Sequence, residues 1–184
     1  MEDEKLVELA LDGDDEALRT LHGRYVQPLF HYVYVQAGNH HDAEELIQDI
    51  FFKMAKNLAR FQGKSSFKTW IFAISRNVVI DYHRKQKKHK ATTFMPHSTL
   101  EAFTEKVHSA EEEVLDKGLK NYLLQTMNQL PTDYQAVLHL RFVEEFSVKE
   151  TAEIMKKTTF SVKALQNRAR KKMMSLIREE VGEG

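Results

Sequence analysis

At 184 residues, with 42% hydrophobic and 29% charged content, the chain is long enough to bury a core as one medium domain or two small ones. The absence of Cys excludes a disulfide scaffold, a thiolate metal site and a cysteine nucleophile, and no apolar run reaches the length of a membrane span. The formal net charge is +0, yet residues 1–16 hold eight acids and one Lys while residues 64–90 hold eight Lys or Arg and one acid, a segregation that suits nucleic acid bound at two places.

The acidic N-terminus is unlike a secretory signal, so a cytoplasmic location is expected. Three prolines, seven glycines and no alternating run of strand residues point to an all-α chain. Leu6 to Ala10 and Ala17 to Leu21 have helical apolar spacing on either side of the Gly13-Asp14-Asp15 break, with Asp14 or Asp15 capping the second segment. Tyr25 to Gln36 continues it with Leu29, Phe30, Tyr32, Val33 and Val35. Asp42, paired with Glu45, is expected to cap the next helix, whose buried stripe is Ala43, Leu46, Ile47, Ile50, Met54 and Leu58. Opposite that stripe lie Glu45, Gln48, Asp49, Phe52 and Lys56, and an aromatic at the centre of a polar face suggests a protein-binding surface.

Phe61 to Ser66 reads as a loop and Phe67 to about Arg84 as a helix that is apolar almost all round, hence packed on several sides. Thr69, Ala73, Asn77, Ile80 and Arg84 share one side of it. This side leads into the basic run Arg84 to Lys90, which beside the loop aromatics Phe61 and Phe67 suits a backbone-tracking groove for unstacked bases. Residues 91–113, with Pro96, Ser98, Thr99, Thr104 and Ser109, read as a flexible linker. A helix from Lys117 to Gln129 and another from Pro131 or Thr132 through Phe142 follow.

Ser147 and Glu150 form a capping box, which starts a short helix over Val148, Ala152 and Met155. Lys156 to Thr159 interrupts the pattern, and Thr158 or Thr159 caps a second helix with the inward stripe Val162, Leu165, Ala169, Met173 and Leu176. Its other side carries Phe160, Ala164, Asn167 and Lys171, flanked by Lys163 and Arg168. From Lys156 to Arg178 there are eight Lys or Arg and no acid. The arrangement predicts a helix-turn-helix whose second helix enters a major groove. The expected architecture is therefore two small helical domains, residues 1–90 and 114–184, with no cofactor and no metal.

Three stretches carry a family resemblance: Asp42-Ala43-Glu44-Glu45-Leu46-Ile47-Gln48-Asp49-Ile50-Phe51, then Phe61 to Ile71, then Ser75-Arg76-Asn77 with Asp81 and Arg84-Lys85. They resemble region 2 of the extracytoplasmic-function sigma factors. Leu130-Pro131, Arg141, the Ser147 helix, and Val162-Lys163 with Arg168-Ala169-Arg170 are similar to region 4 of the same family. Two departures are visible: Lys156 stands where the family usually has glycine, and Ala164-Leu165-Gln166 replaces the usual Ser-Arg-Leu.

The resemblance implies a transcription initiation factor without catalytic chemistry, with core RNA polymerase, promoter DNA and an anti-sigma factor as partners and no insertion into a membrane. It would hold polymerase through Glu45, Gln48, Asp49, Phe52 and Lys56. The melted downstream element would meet Phe61, Gln62, Lys64, Ser65, Phe67, Asn77, Arg84 and Lys85. The upstream element would be read by Ser161, Lys163, Ala164, Asn167, Arg168, Lys171 and Lys172. Two alternatives explain less. A helix-turn-helix regulator without polymerase contacts leaves Phe52 and the Phe61 loop unexplained, and a His/Asp metal phosphohydrolase built on His31, His40, His41, Asp42 and Asp81 takes Asp42 from its role at a helix start.

Overall fold

The computed structural model describes residues 1–92 and 112–182. Eight α-helices follow one another among these residues: α1 (Asp3–Leu11), α2 (Asp15–Ala37), α3 (His40–Asn57), α4 (Phe67–Thr92), α5 (Glu112–Asn128), α6 (Thr132–Leu138), α7 (Val148–Met155) and α8 (Thr159–Gly182). A 3-10 turn, Leu58–Arg60, closes α3, and a π turn, His139–Val143, continues α6. The described residues contain no strand. The chain forms two helical domains, α1 to α4 and α5 to α8. The proposed linker lies mostly outside the described residues.

Local chemistry fixes most boundaries. Asp14 accepts from the N–H groups of Glu16 and Ala17 at 2.9 and 3.2 Å, so it caps α2. The expected Asp42 cap is displaced. Asn39 accepts from the Asp42 N–H at 2.8 Å and donates to the Asp42 carboxylate at 3.0 Å, so α3 starts at His40 and Asp42 lies inside its first turn. Asn and Asp cap about equally well, and Asn39 holds the earlier position.

Helix α4 is also longer than expected, running past Arg84 to Thr92. Arg84 to Lys90 contains no Gly or Pro, its straight-chain residues favour helix, and cations complement the negative end of the helix dipole. The basic run thus lies within the last turns of α4. Helix α5 begins at Glu112, five residues before the expected Lys117, because acids suit the positive end of the dipole.

The apolar circumference of α4 explains its position. Phe67, Ile71, Phe72, Val78 and Val79 are buried, and the helix packs on α2 and α3 on one side and α7 on the other. Aromatic rings join the two domains: Phe72 meets Tyr32 at 5.5 Å and Phe146 at 5.1 Å, and Tyr32 meets His139 at 5.5 Å. Removing such rings from water stabilises the docked arrangement by about 1.5–3 kcal/mol each. Polar pairs complete the junction. Lys68 reaches Glu144, and Arg76 pairs with Asp133.

Candidate nucleic-acid and protein interface

Helix α3 presents the polar face expected of it. Ala43, Leu46, Ile47, Ile50 and Met54 turn inward, which leaves Glu45, Gln48, Phe52 and Lys56 exposed and Asp49 half-exposed, 3.0 Å from Lys53. Phe52 is 67% exposed. Nothing in this chain covers it among the described residues, so packing within the fold does not account for the ring.

The loop after α3 divides into surface and core. Gln62, Gly63, Lys64 and Ser66 are exposed and Ser65 is half-buried. Gly63 adopts φ +65°, the left-handed turn that favours glycine. Phe61 is half-buried against Phe67 at 5.7 Å and Trp70 at 5.4 Å. Phe67 itself has no exposed surface and meets the Tyr25 ring at 5.4 Å. The expectation that Phe67 offers a ring to a base is therefore corrected: it anchors the loop on the core, and Phe61 is the aromatic at the rim. The Ser66 hydroxyl accepts from the Thr69 N–H at 3.1 Å, which caps the start of α4.

Along α4, Asn77, Ile80, Arg84 and Lys85 are exposed. Asn77, Ile80 and Arg84 are spaced i, i+3 and i+7, so they form one stripe. Arg84 is tied to Asp81 at 2.9 Å, an exposed pair that a stronger anion can displace.

The helix-turn-helix is α7 and α8. Ser147 and Glu150 form the reciprocal capping box: the Ser147 hydroxyl accepts from the Glu150 N–H at 3.2 Å, and the Glu150 carboxylate accepts from the Ser147 N–H at 2.8 Å. The Ser147 hydroxyl, 2.7 Å from the Glu150 carboxylate, and then the Ser147 N–H hold the Glu150 carboxyl below its ordinary range. Lys156 closes α7 in the left-handed conformation, at φ 53° and ψ 46°. Thr158 then caps α8 by accepting from the Ser161 N–H at 3.1 Å. Val162, Leu165 and Ala169 are buried, whereas Ser161, Lys163, Asn167, Arg168, Lys171 and Lys172 are exposed and Ala164 is half-buried. The outward face is an acid-free array of cations around one amide, able to take phosphates and a base edge together.

Comparison with known proteins agrees with this geometry. Sigma-70 region 2 matches residues 21–89, and sigma-70 region 4 matches residues 120–173. The chain is 31% identical to the RNA polymerase sigma factor YlaC of Bacillus subtilis, over 90% of this chain and 96% of YlaC. The chain belongs to the extracytoplasmic-function RNA polymerase sigma factors. SigX of Bacillus subtilis, an ECF RNA polymerase sigma factor, is 28% identical over 91% of this chain and 88% of SigX. The fold also matches the sigma factor RpoE of Bartonella quintana, solved with the anti-sigma factor NepR, with TM-score 0.68 and 20% identity over 87% of this chain and 96% of RpoE.

Sigma factors direct transcription initiation and are in general not enzymes. In this one the residues of the phosphohydrolase alternative are not assembled into one site. His41, Asp42 and Glu45 do cluster at the start of α3, with one ligand atom of each within 4.8 Å of the others. The Asp42 carboxylate, however, accepts from the Tyr82 hydroxyl at 2.6 Å and from Asn39, and Asp81 pairs with Arg84. No helix among the described residues is long and apolar enough to cross a membrane.

Phe160, read from spacing on the outward side of α8, is 80% exposed at its first turn. Two features of this sigma factor escape the sequence. A cavity of 790 Å³ opens between α2, α5 and α8, lined mainly by Leu123, Leu124, Met127, Phe142, Met173 and Ile177. A second, of 710 Å³, separates the basic side of α4 from the start of α6 and the end of α7. Both form between elements distant in sequence, where periodicity carries no information.

Proposed function

We propose that this sigma factor holds core RNA polymerase through the exposed α3 face and divides promoter recognition between its domains. Residues 1–90 take the non-template single strand of the downstream element, and residues 114–184 read the upstream element as duplex. The observation that carries this reading is that an amide and cations are exposed on two separate helices, Asn77 and Arg84 on α4 and Asn167 with Lys163 to Lys172 on α8.

The chemistry of the two faces differs. On α4 an amide, an exposed Ile80 and a cation lie along the helix whose first turn holds the rim aromatic Phe61, which suits unstacked bases and a single backbone. On α8, Asn167 among five cations suits a major groove. Phe52, flanked by Asp49, Gln48 and Lys56, has the anatomy of an interfacial anchor with a polar rim. In this reading the chain carries no catalytic chemistry, acts in the cytoplasm beside polymerase, and is held in check by an anti-sigma factor, as RpoE is bound by NepR.

Run-off transcription with purified core polymerase on genomic fragments tests the function. The expected result is a set of discrete transcripts that require this chain. Polymerase that initiates identically with and without it overturns the proposal. On the responding promoters, Asn77→Ala is expected to slow initiation on closed templates and on templates with a premelted downstream element, because the contact is to the single strand itself.

A further inference from the structure

We infer that the docked arrangement of the two domains is a self-inhibited state, in which the Asp133 carboxylate, held also by Lys157, stands in for a nucleic-acid phosphate at Arg76. The inference rests on the proposed use of the α4 face for DNA.

Arg76 sets the problem. The residue is 5% exposed, and a buried cation is costly unless an anion pairs with it. From its own domain it receives neutral groups, with the Gln36 amide oxygen 3.4 Å from Nη1. Its Nε has no acceptor among the described residues. The anion comes from the other domain: Nη2 donates to the Asp133 carboxylate at the start of α6, and that carboxylate lies 3.4 Å from Lys157 Nζ, in the turn between α7 and α8. One carboxylate thus bridges two cations from different domains, the coordination a backbone phosphate would have.

The surroundings make the substitution specific to nucleic acid. The 710 Å³ cleft around this bridge is walled by Ile80, Arg84, Lys87 and Lys88 of α4, with Asp133 as the acid among its lining residues. Arg76, Ile80, Arg84 and Lys87 follow one side of the helix, and Ile80 and Arg84 also belong to the Asn77 stripe. Closure therefore leaves the cleft with a surplus of positive charge. A strand laid along the Asn77 stripe brings phosphates to the α4 cations, and its phosphate and the Asp133 carboxylate compete for the Arg76 guanidinium. Closure and single-strand binding are then coupled negatively, and the coupling is reciprocal: whatever releases the domains strengthens DNA binding, and DNA opens the domains.

The cysteine-free sequence makes the test direct. Exposed Arg19 on α2 and Glu153 on α7 are replaced by Cys and labelled as a donor–acceptor pair in the full chain, without polymerase. Transfer efficiency and affinity for a short single-stranded oligonucleotide at low salt are then measured for the parent, Asp133→Asn and Asp133→Glu. Asp133→Asn is expected to lower transfer and to strengthen oligonucleotide binding about tenfold, whereas Asp133→Glu stays near the parent in both. Unchanged transfer in Asp133→Asn overturns the latch. Lower transfer with unchanged oligonucleotide affinity overturns the phosphate substitution. If Asp133→Asn loses helical signal, Arg76→Gln replaces it in the transfer measurement, and unchanged transfer there overturns the latch equally. Failure of the sigma reading is distinguishable, since it shows as absent run-off transcription by the unlabelled parent chain.

Discussion

Lys68 Nζ donates to the Glu144 carbonyl at 2.9 Å and lies 3.2 Å from the carboxylate of the same residue, joining positions 76 apart in the chain. The ammonium also sits 4.8 Å from the centre of the Phe146 ring. Burial alone would raise the Glu144 carboxyl, but the His139 imidazole and the Lys68 ammonium outweigh it and hold the group below its ordinary range. A depressed carboxylate stabilises the fold above its unfolded pKa and loses that contribution as pH falls through the folded one. Denaturant unfolding should therefore show stability falling from roughly pH 5 to pH 3, with a smaller fall in Glu144→Gln. Part of the slope is expected to remain in that variant, because Asp133 and Glu150 are held low as well. A Glu144→Gln profile parallel to the parent would remove this residue from the acid response.

The turn of the DNA-binding motif contains a measurable strain. Lys156 has φ 53° where glycine is at ease, and left-handed backbone costs a residue with a Cβ about 1–2 kcal/mol. Glycine also loses more chain entropy on folding, so Lys156→Gly should raise stability by a net of about 0.5–1 kcal/mol. The raised midpoint should appear in thermal or denaturant melts. A loss of stability would mean that the Lys156 side chain has packing or charge interactions that outweigh the backbone relief.

Much of this architecture is legible in the sequence because it is local. Ser147 and Glu150 are three positions apart, so their reciprocal bonds are spelled out by spacing, as are the Asp14 cap and the inward stripes of α3 and α8. The misjudged boundaries have local causes too. His40 and His41 disguise the first turn of α3, and the polar residues after Arg84 look like coil although Lys, Arg and Gln favour helix. What spacing cannot carry is tertiary contact. Nothing in the sequence separates the half-buried Phe61 from the fully buried Phe67, six positions away in the same aromatic stretch, or pairs Arg76 with Asp133. The faces proposed to bind DNA and polymerase are legible as patterns, whereas the junction between the domains emerges only when the chain is folded.

The α3 face gives a prediction that separates binding from stability. Phe52→Ala with Asp49→Ala removes an exposed ring and one member of an exposed ion pair, so unfolding should change by no more than ~0.5 kcal/mol. Loss of an interfacial aromatic anchor costs about 2 kcal/mol or more, so affinity for core polymerase should fall at least about thirtyfold. Fluorescence anisotropy of labelled chain titrated with core enzyme measures it. Normal polymerase binding by the double variant would move the interface elsewhere.

On α8 the exposed residues should divide into two kinds of contact. Lys163 faces outward just past the cap at Thr158 and Asn167 one turn further on, whereas Lys171 and Lys172 lie beyond both. The N-terminal part of a recognition helix is the part that reaches base edges. An Asn amide can donate to and accept from adenine together, which discriminates that base by about 1–3 kcal/mol, while a Lys on a phosphate attracts every sequence alike. Asn167→Ala and Lys163→Ala are therefore expected to flatten the preference among a panel of upstream elements. Lys171→Ala and Lys172→Ala should weaken all members of the panel together, and each should lower the slope of log affinity against log salt by about 1. Binding isotherms for the four variants at three salt concentrations decide the matter. If Asn167→Ala weakened all sequences equally while Lys172→Ala changed their order, the reading end of the helix would be the distal one, and α8 would lie in the groove in the opposite sense.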